Sequence, residues 1–206
     1  MKEKNNNNLT LEEVDILKEV GNICVGNSTS ILSQLLGGAV DVHLPGLDLL
    51  SAKELSNYIK EKGKMVYGVH AQLSGCLEGT IFLLFPEKDL LKIIGKFLKD
   101  VEVEGAESIK FGISIIKEIS GISIFSYINT LSSMIRKLIT TSVPNFLSGS
   151  ADELLNMIIR EQEQLGSICI IHTTFKEKSM EIEGSYYLIL NKISADILVD
   201  FMRNPV

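Results

Sequence analysis

The chain writes one pattern twice. Residues 15–22 read DILKEVGN, and 114–121 read SIIKEISG, an offset of 99. At that offset Asp15 meets Ser114, Glu19 meets Glu118, Asn22 meets Gly121 and Pro45 meets Pro144. The match runs on through SAKELSNYI (51–59) and SADELLNMI (150–158). LEGTIFLLFP (77–86) then corresponds to IEGSYYLILN (182–191) at an offset of 105, so the second copy is six residues longer. The polar stretch around Lys176 to Ser179 is the expected place for the excess, as a lengthened hairpin loop. EKDLLKIIGKFLK and NKISADILVDFMR close the two copies. Internal self-similarity of this kind constrains architecture more than any local propensity does.

Each half reads as long helix, strand, shorter helix, strand pair and closing helix. Thr10 with Glu13 forms the sequence of a capping box at the start of the first long helix, and Ser51 with Glu54 and Ser150 with Glu153 repeat that signature at the shorter helices. VDVHLP, MVYGVHAQL and ICIIHTTF alternate or run apolar, as strands do. No Pro/Gly/Ser-rich linker separates the halves. The expected fold is α+β: two repeats related by a pseudo-twofold axis, with the long helices packed on a shared, mainly antiparallel sheet. Residues 1–8 are expected to be a disordered polar leader. A single domain is expected over 9–206, with repeat one at 9–107 and repeat two at 108–206.

Composition removes several function classes. The net charge is −6 and the basic residues are scattered, which does not make a phosphate-backbone footprint, so no nucleic-acid partner is expected. The longest apolar run, Thr80 to Phe85, is too short to span a bilayer, and the asparagines at 5–8 are unlike a secretory signal. A cytoplasmic protein without membrane insertion is expected. Cys24, Cys76 and Cys169 never take CxxC spacing and read as buried free thiols. His43, His70 and His172 sit far apart in strand-like stretches, so no metal site is expected. GxGxxG, GxxxxGK[ST], GxSxG and HExxH are all missing. Chemistry here falls to carboxylates, amides and hydroxyls.

At 100° per residue, the first long helix separates into two faces. Leu17, Val20, Cys24, Ile31 and Leu35, flanked by Val14 and Leu32, make a core arc. Asp15, Glu19, Asn22, Gly26, Thr29 and Ser33 lie opposite, in a polar stripe of small and medium residues. Asn27 points to the core-side flank and reads as structural. Asn within a helix is unfavourable by about 0.7 kcal/mol relative to Ala. The second long helix keeps Ser114 and Glu118 on its outer stripe but continues with Phe125 and Ile128, a greasier surface suited to being covered.

Asp15-x3-Glu19-x2-Asn22, followed after 22 residues by Pro45, resembles the signature of the CheC/CheX/FliY chemotaxis phosphatase family, as does the surrounding EVGNICVGN. The resemblance covers the whole chain, and the two-repeat layout and length are like CheC. CheX carries one signature in a shorter chain, and FliY adds a C-terminal flagellar-switch domain that is not expected here. The resemblance implies phosphorylated CheY as substrate, hydrolysis of its aspartyl phosphate, and Glu19 with Asn22 as the active centre. It also implies CheD as a second partner. The second copy conforms at Ser114, Glu118 and Pro144 and departs at Gly121, which marks a degenerate site.

The residues fit that chemistry. An acyl phosphate is already activated, and the receiver brings its own Mg2+ and lysine; no cofactor of the chain's own is expected. What remains is to hold one water in line, which a carboxamide can do without acting as a base. Asn22 suits that role. Glu19 suits pairing with a receiver lysine, Asp15 supports docking, and Pro45 shapes the end of the following strand. A regulatory binding module for CheD or phosphorylated CheY with weak hydrolysis is the alternative, and a structural flagellar-switch component is a third reading.

Overall fold

A computed structural model describes residues 9–43, 46–50, 65–99, 105–150, 153–154 and 168–204. Four helices are described: α1 (Leu11–Leu36), α2 (Glu87–Leu98), α3 (Ala106–Ile135) and α4 (Lys192–Arg203). Eight strands form one antiparallel sheet: β1 (Val40–Val42), β2 (Gly46–Leu50), β3 (Met65–Gly75), β4 (Gly79–Pro86), β5 (Ile139–Thr141), β6 (Asn145–Ser150), β7 (Ile168–Glu177) and β8 (Ile182–Asn191). The α+β class, the long helices and the antiparallel sheet are as the sequence leads one to expect.

The strand order is β1-β7-β8-β4-β3-β5, with β2 also on β7 and β6 also on β3. Each half therefore lends its two short strands to the other half's hairpin, and neither builds its sheet alone. The registers repeat this exchange residue by residue. Gly46 faces His172 while Asn145 faces His70: 145 lies 99 beyond 46, and 172 lies 102 beyond 70. At the centre Phe82 faces Tyr187, positions 105 apart.

These offsets redistribute the six extra residues. The step from 102 to 105 places three of them in the β7–β8 hairpin, where Lys176 and Glu177 extend the ladder and residues 178–181 make the turn. The other three precede β7, so the expectation of a single insertion near Lys176 holds for half of them. The strand expected over VDVHLP is also shorter than its motif. β1 stops at Val42 and a second strand begins at Gly46. Neither GLDLL nor its counterpart NFLSGS reads as a strand, because their ladder comes from the partner hairpin rather than from propensity.

Local signals set the helix ends. The Thr10 N–H donates to Glu13 Oε2 at 2.7 Å and the Glu13 N–H to Thr10 Oγ1 at 3.3 Å, completing the capping box, and Gly37 closes α1 in a left-handed conformation. The Ser150 N–H donates to Glu153 Oε2 at 3.0 Å and the Glu153 N–H to Ser150 Oγ at 3.2 Å, so the second repeat's box is made as well. Ser51, Glu54 and most of both expected shorter helices lie outside the described residues. Asn191 caps α4 by accepting from the Ser194 N–H at 2.7 Å.

Both sheet faces are covered, which is why β4 is buried from Thr80 through Phe85. One face, through Val69, Ala71, Ile81, Leu83, Phe85, Phe175 and Leu188, packs under the helices. The other gathers Val66, Phe82, Leu84, Ile168, Ile170 and Ile189, with Leu154 from beyond β6. By length and composition α3 could cross a membrane, with mean hydropathy 1.4 over its most apolar window. That apolarity serves the core: Ile116, Ile119, Ile124, Tyr127, Ile128, Leu131 and Ile135 are buried.

Where α1 meets α3 the core turns polar. The Ser28 hydroxyl donates to the Ser123 carbonyl at 2.8 Å, and the Ser123 hydroxyl donates back to the Ser28 carbonyl at 3.1 Å. The Tyr186 hydroxyl of β8 lies 2.6 Å from Ser28 Oγ and also bonds Ser123 Oγ. All three side chains are buried. This knot fixes how the two long helices lie on the sheet, and so which way their outer faces look.

Candidate functional site

On α1, Leu17, Val20, Cys24 and Leu32 are buried as the helical period requires, while Asp15, Glu19, Asn22 and Gly26 are exposed. Spacings of four, three and four residues keep these four on one side of the helix. Among the described residues nothing partners the side chains of Asp15, Glu19 or Asn22. A carboxylate and a carboxamide one turn apart, both unbonded, are free to meet something from outside. Pro45 lies outside the described residues.

The stripe is shorter than its sequence suggests. Thr29 is buried, its hydroxyl donating to the Val25 carbonyl at 2.8 Å, and Ser33 donates to the Gly38 carbonyl at 2.8 Å beyond the helix end. Short hydroxyl side chains satisfied by backbone need no solvent, so the open face ends at Gly26. Ile31 and Leu35, assigned to the core arc, are only half-buried. Asn27 is exposed rather than turned to the core flank. It reaches across to α3, its amide donating to Thr130 Oγ1 at 3.2 Å.

The corresponding face of α3 differs in kind. Ser114 and Glu118 are exposed, with the Ser114 hydroxyl returned to the Lys110 carbonyl at 3.0 Å. Gly121 is buried. A Cβ built on it would stand 3.5 Å from Pro144 Cγ, so the proline between β5 and β6 rests on the bare helix there. Pro144 thus touches the degenerate position itself, a contact that spacing alone does not reveal. Phe125 is 43% exposed, but Ile128, expected beside it, is only 3% exposed and belongs to the core.

Between the two helices runs an open groove of about 970 Å³, lined by Ile23, Asn27, Ile122, Phe125 and Asn129 among others. Ile23 and Ile122 are each other's counterparts at the offset of 99, and each directly follows Asn22 or Gly121. The groove escapes a reading of single helices because it exists only once the helices are paired.

No cluster of three or more His, Cys, Asp and Glu gathers among the described residues. His70 and His172, counterparts on β3 and β7, stack on Phe82 and Tyr187 with ring centroids 5.5 and 4.2 Å apart. Cys24 and Cys169 are buried; Cys76, expected buried, is half-exposed in the turn after β3. Burial pushes the Cys24 thiol up to about 12, far from a reactive thiolate.

No family model matches the chain. It is 28% identical to the CheY-P phosphatase CheC of Bacillus subtilis over 172 residues, which is 82% of this chain and 81% of that protein. Its fold is shared with FliY of Thermotoga maritima at a TM-score of 0.75 and 18% identity, over 97% of this chain and all of the other. CheX in a CheX–CheY–BeF3–Mg2+ complex from Borrelia burgdorferi has the same fold at 0.54 and 15%, over 86% and 99%. The chain is thus similar to CheC over most of its length and shares the fold of FliY and CheX. Within that fold the exposed carboxylate–carboxamide pair of α1 lies on the long helix of the first half, and the buried Gly121 lies at the same place on the second.

Proposed function

We propose that the chain is a phosphatase of phosphorylated CheY, working from one site on α1. The reading is carried by one observation. Glu19 and Asn22 stand exposed and unbonded one turn apart, in a chain similar over most of its length to a CheY-P phosphatase. That CheX forms a complex with CheY, BeF3 and Mg2+ supports a receiver as the partner of this fold, with the metal belonging to the receiver.

The Asn22 carboxamide holds one water, its carbonyl accepting from the water and its NH2 donating to a phosphoryl oxygen. The water oxygen forms a bond to phosphorus as the bond to the aspartyl oxygen breaks. The aspartate leaves as carboxylate, the water proton passes to the phosphate and solvent, and inorganic phosphate departs. The receiver's Mg2+ and lysine neutralise the equatorial oxygens, so alignment is the contribution left to this chain. Glu19 pairs with a receiver lysine and sets register along α1. Asp15, one turn earlier, extends the acidic edge. Gly121 carries no such group, and the second helix hydrolyses little.

The test is dephosphorylation of CheY-P by wild type, Asn22→Ala and Glu19→Lys. Asn22→Ala slows turnover about a hundredfold, the worth of one oriented donor at a reacting centre, and leaves binding intact. Glu19→Lys weakens binding instead. Equal rates for wild type and Asn22→Ala would remove Asn22 from catalysis and leave a binding module, for CheY-P or for CheD, as the better reading.

A further inference from the structure

Gly26 lies one turn beyond Asn22 on the same exposed stripe, and among the described residues nothing asks for a glycine there. It sits inside α1 without a positive φ. A Cβ built on it would meet no heavy atom within 4 Å. Glycine within a helix is unfavourable relative to alanine, because more backbone freedom is lost on folding. The chain thus carries a destabilising residue whose missing side chain makes room only on the outside. At the matching position of α3 stands Phe125, an aromatic ring 43% exposed to solvent.

We propose that Gly26 is the close-approach position of the docking face, where the receiver's surface beside its phosphoryl-aspartate comes down onto bare helix. The inference rests on the phosphatase reading above. A specific protein partner covers about 800 Å² of each side, far more than Glu19 and Asn22 present, so its footprint must pass beyond Asn22 along α1. In that direction the open stripe ends at Gly26, because Thr29 is turned inward. With no side chain at 26, the receiver approaches by the depth of one residue, which brings its phosphoryl group to the Asn22 amide. Phe125 holds any partner off α3 at the equivalent point. Gly26 is a positioning residue: it touches the partner's surface, not the reacting atoms.

Gly95 supplies an internal control. It lies within α2, is exposed, and a Cβ there also meets nothing within 4 Å. The experiment compares Gly26→Ala, Gly26→Phe, Gly95→Ala and Gly95→Phe. It reads thermal midpoint, binding of BeF3-activated CheY, and kcat/KM on CheY-P. Both alanine variants raise the thermal midpoint. Gly26→Phe weakens binding and kcat/KM together by about tenfold or more, the range that a forced overpacked contact produces, whereas Gly95→Phe leaves both at wild-type values. Wild-type binding by a folded Gly26→Phe protein, with turnover still dependent on Asn22, overturns this inference alone. A wild-type chain that neither binds nor hydrolyses CheY-P overturns the phosphatase reading and this inference with it.

Discussion

Removing two hydroxyls and then a third from the knot between α1, α3 and β8 should make the protein first less stable and then more so. In Tyr186→Phe, the Ser28 and Ser123 hydroxyls keep the backbone carbonyls to which they already donate, at 2.8 and 3.1 Å. The ring keeps its packing against Tyr127 and Phe175, at centroid separations of 5.8 and 5.6 Å. The two hydrogen bonds of its hydroxyl are lost and no donor is stranded, so the cost is about 1 kcal/mol for each. Ser28→Ala with Ser123→Ala is different. The Tyr186 hydroxyl, on a side chain 1% exposed, loses both of its partners and water cannot replace them. That orphaned group costs ~1–3 kcal/mol beyond the lost bonds. Adding Tyr186→Phe to the double variant removes the orphan and should return most of that penalty. Urea unfolding at neutral pH, with unchanged slope, gives the three free energies. A triple variant as unstable as the double, or less stable, would refute the assignment of this knot as a mutually satisfied trio.

The same buried core and the covered face of α3 each lead to a further expected outcome. Burial pushes the Cys24 thiol and the Tyr186 phenol up to about 12, from ordinary values of 9.0 and 10.0. The unfolded chain therefore releases these protons first. Stability is full below pH 9 and falls towards pH 12, by up to about 1.4 kcal/mol per pH unit for each group. Urea midpoints at pH 8 and 10.5 check this, and an unchanged midpoint counts against it; Tyr186→Phe should reduce the fall. In an Asn22→Ala background, Gly121→Asn alone should restore no hydrolysis, since Pro144 covers the position and Phe125 stands one turn beyond it. Adding Phe125→Gly should restore some, and full recovery by Gly121→Asn alone would refute the covered-site account.

The repeat made the fold largely legible, because an offset constrains a whole architecture while a helical period constrains one element. Thr10–Glu13 and Ser150–Glu153 were readable because a capping box is local chemistry. β2 and β6 were not, since GLDLL and NFLSGS carry no strand pattern and take their ladder from the opposite half's hairpin. The single insertion near Lys176 holds for only three of the six extra residues, for a related reason. Sequence offset counts residues between matched segments but cannot divide them between two gaps, whereas strand register can. On the helices, Thr29 and Ile128 were misassigned by the same simple wheel. It marks hydroxyls as outward, and Thr29 satisfies its own within the helix. It also treats each helix alone, and Ile128 is covered by the rest of the fold.

At position 121 the described contacts involve more than a missing amide. The position is buried where Asn22 is exposed, and Pro144 Cγ stands where it would make ordinary contact with a Cβ there. An Asn there would need a rotamer that clears the ring, or would push the β5–β6 connection outward. Glycine and the seated proline thus support one another: the bare helix admits the ring, and the ring keeps water off the helix. Glu118 remains exposed beside them, so on the proposed reading the charge of a docking edge persists where the carboxamide does not. With Phe125 raised one turn further on, α3 presents a closed surface that still carries its acid. Only on α1 does an exposed carboxamide stand one turn from the corresponding acid.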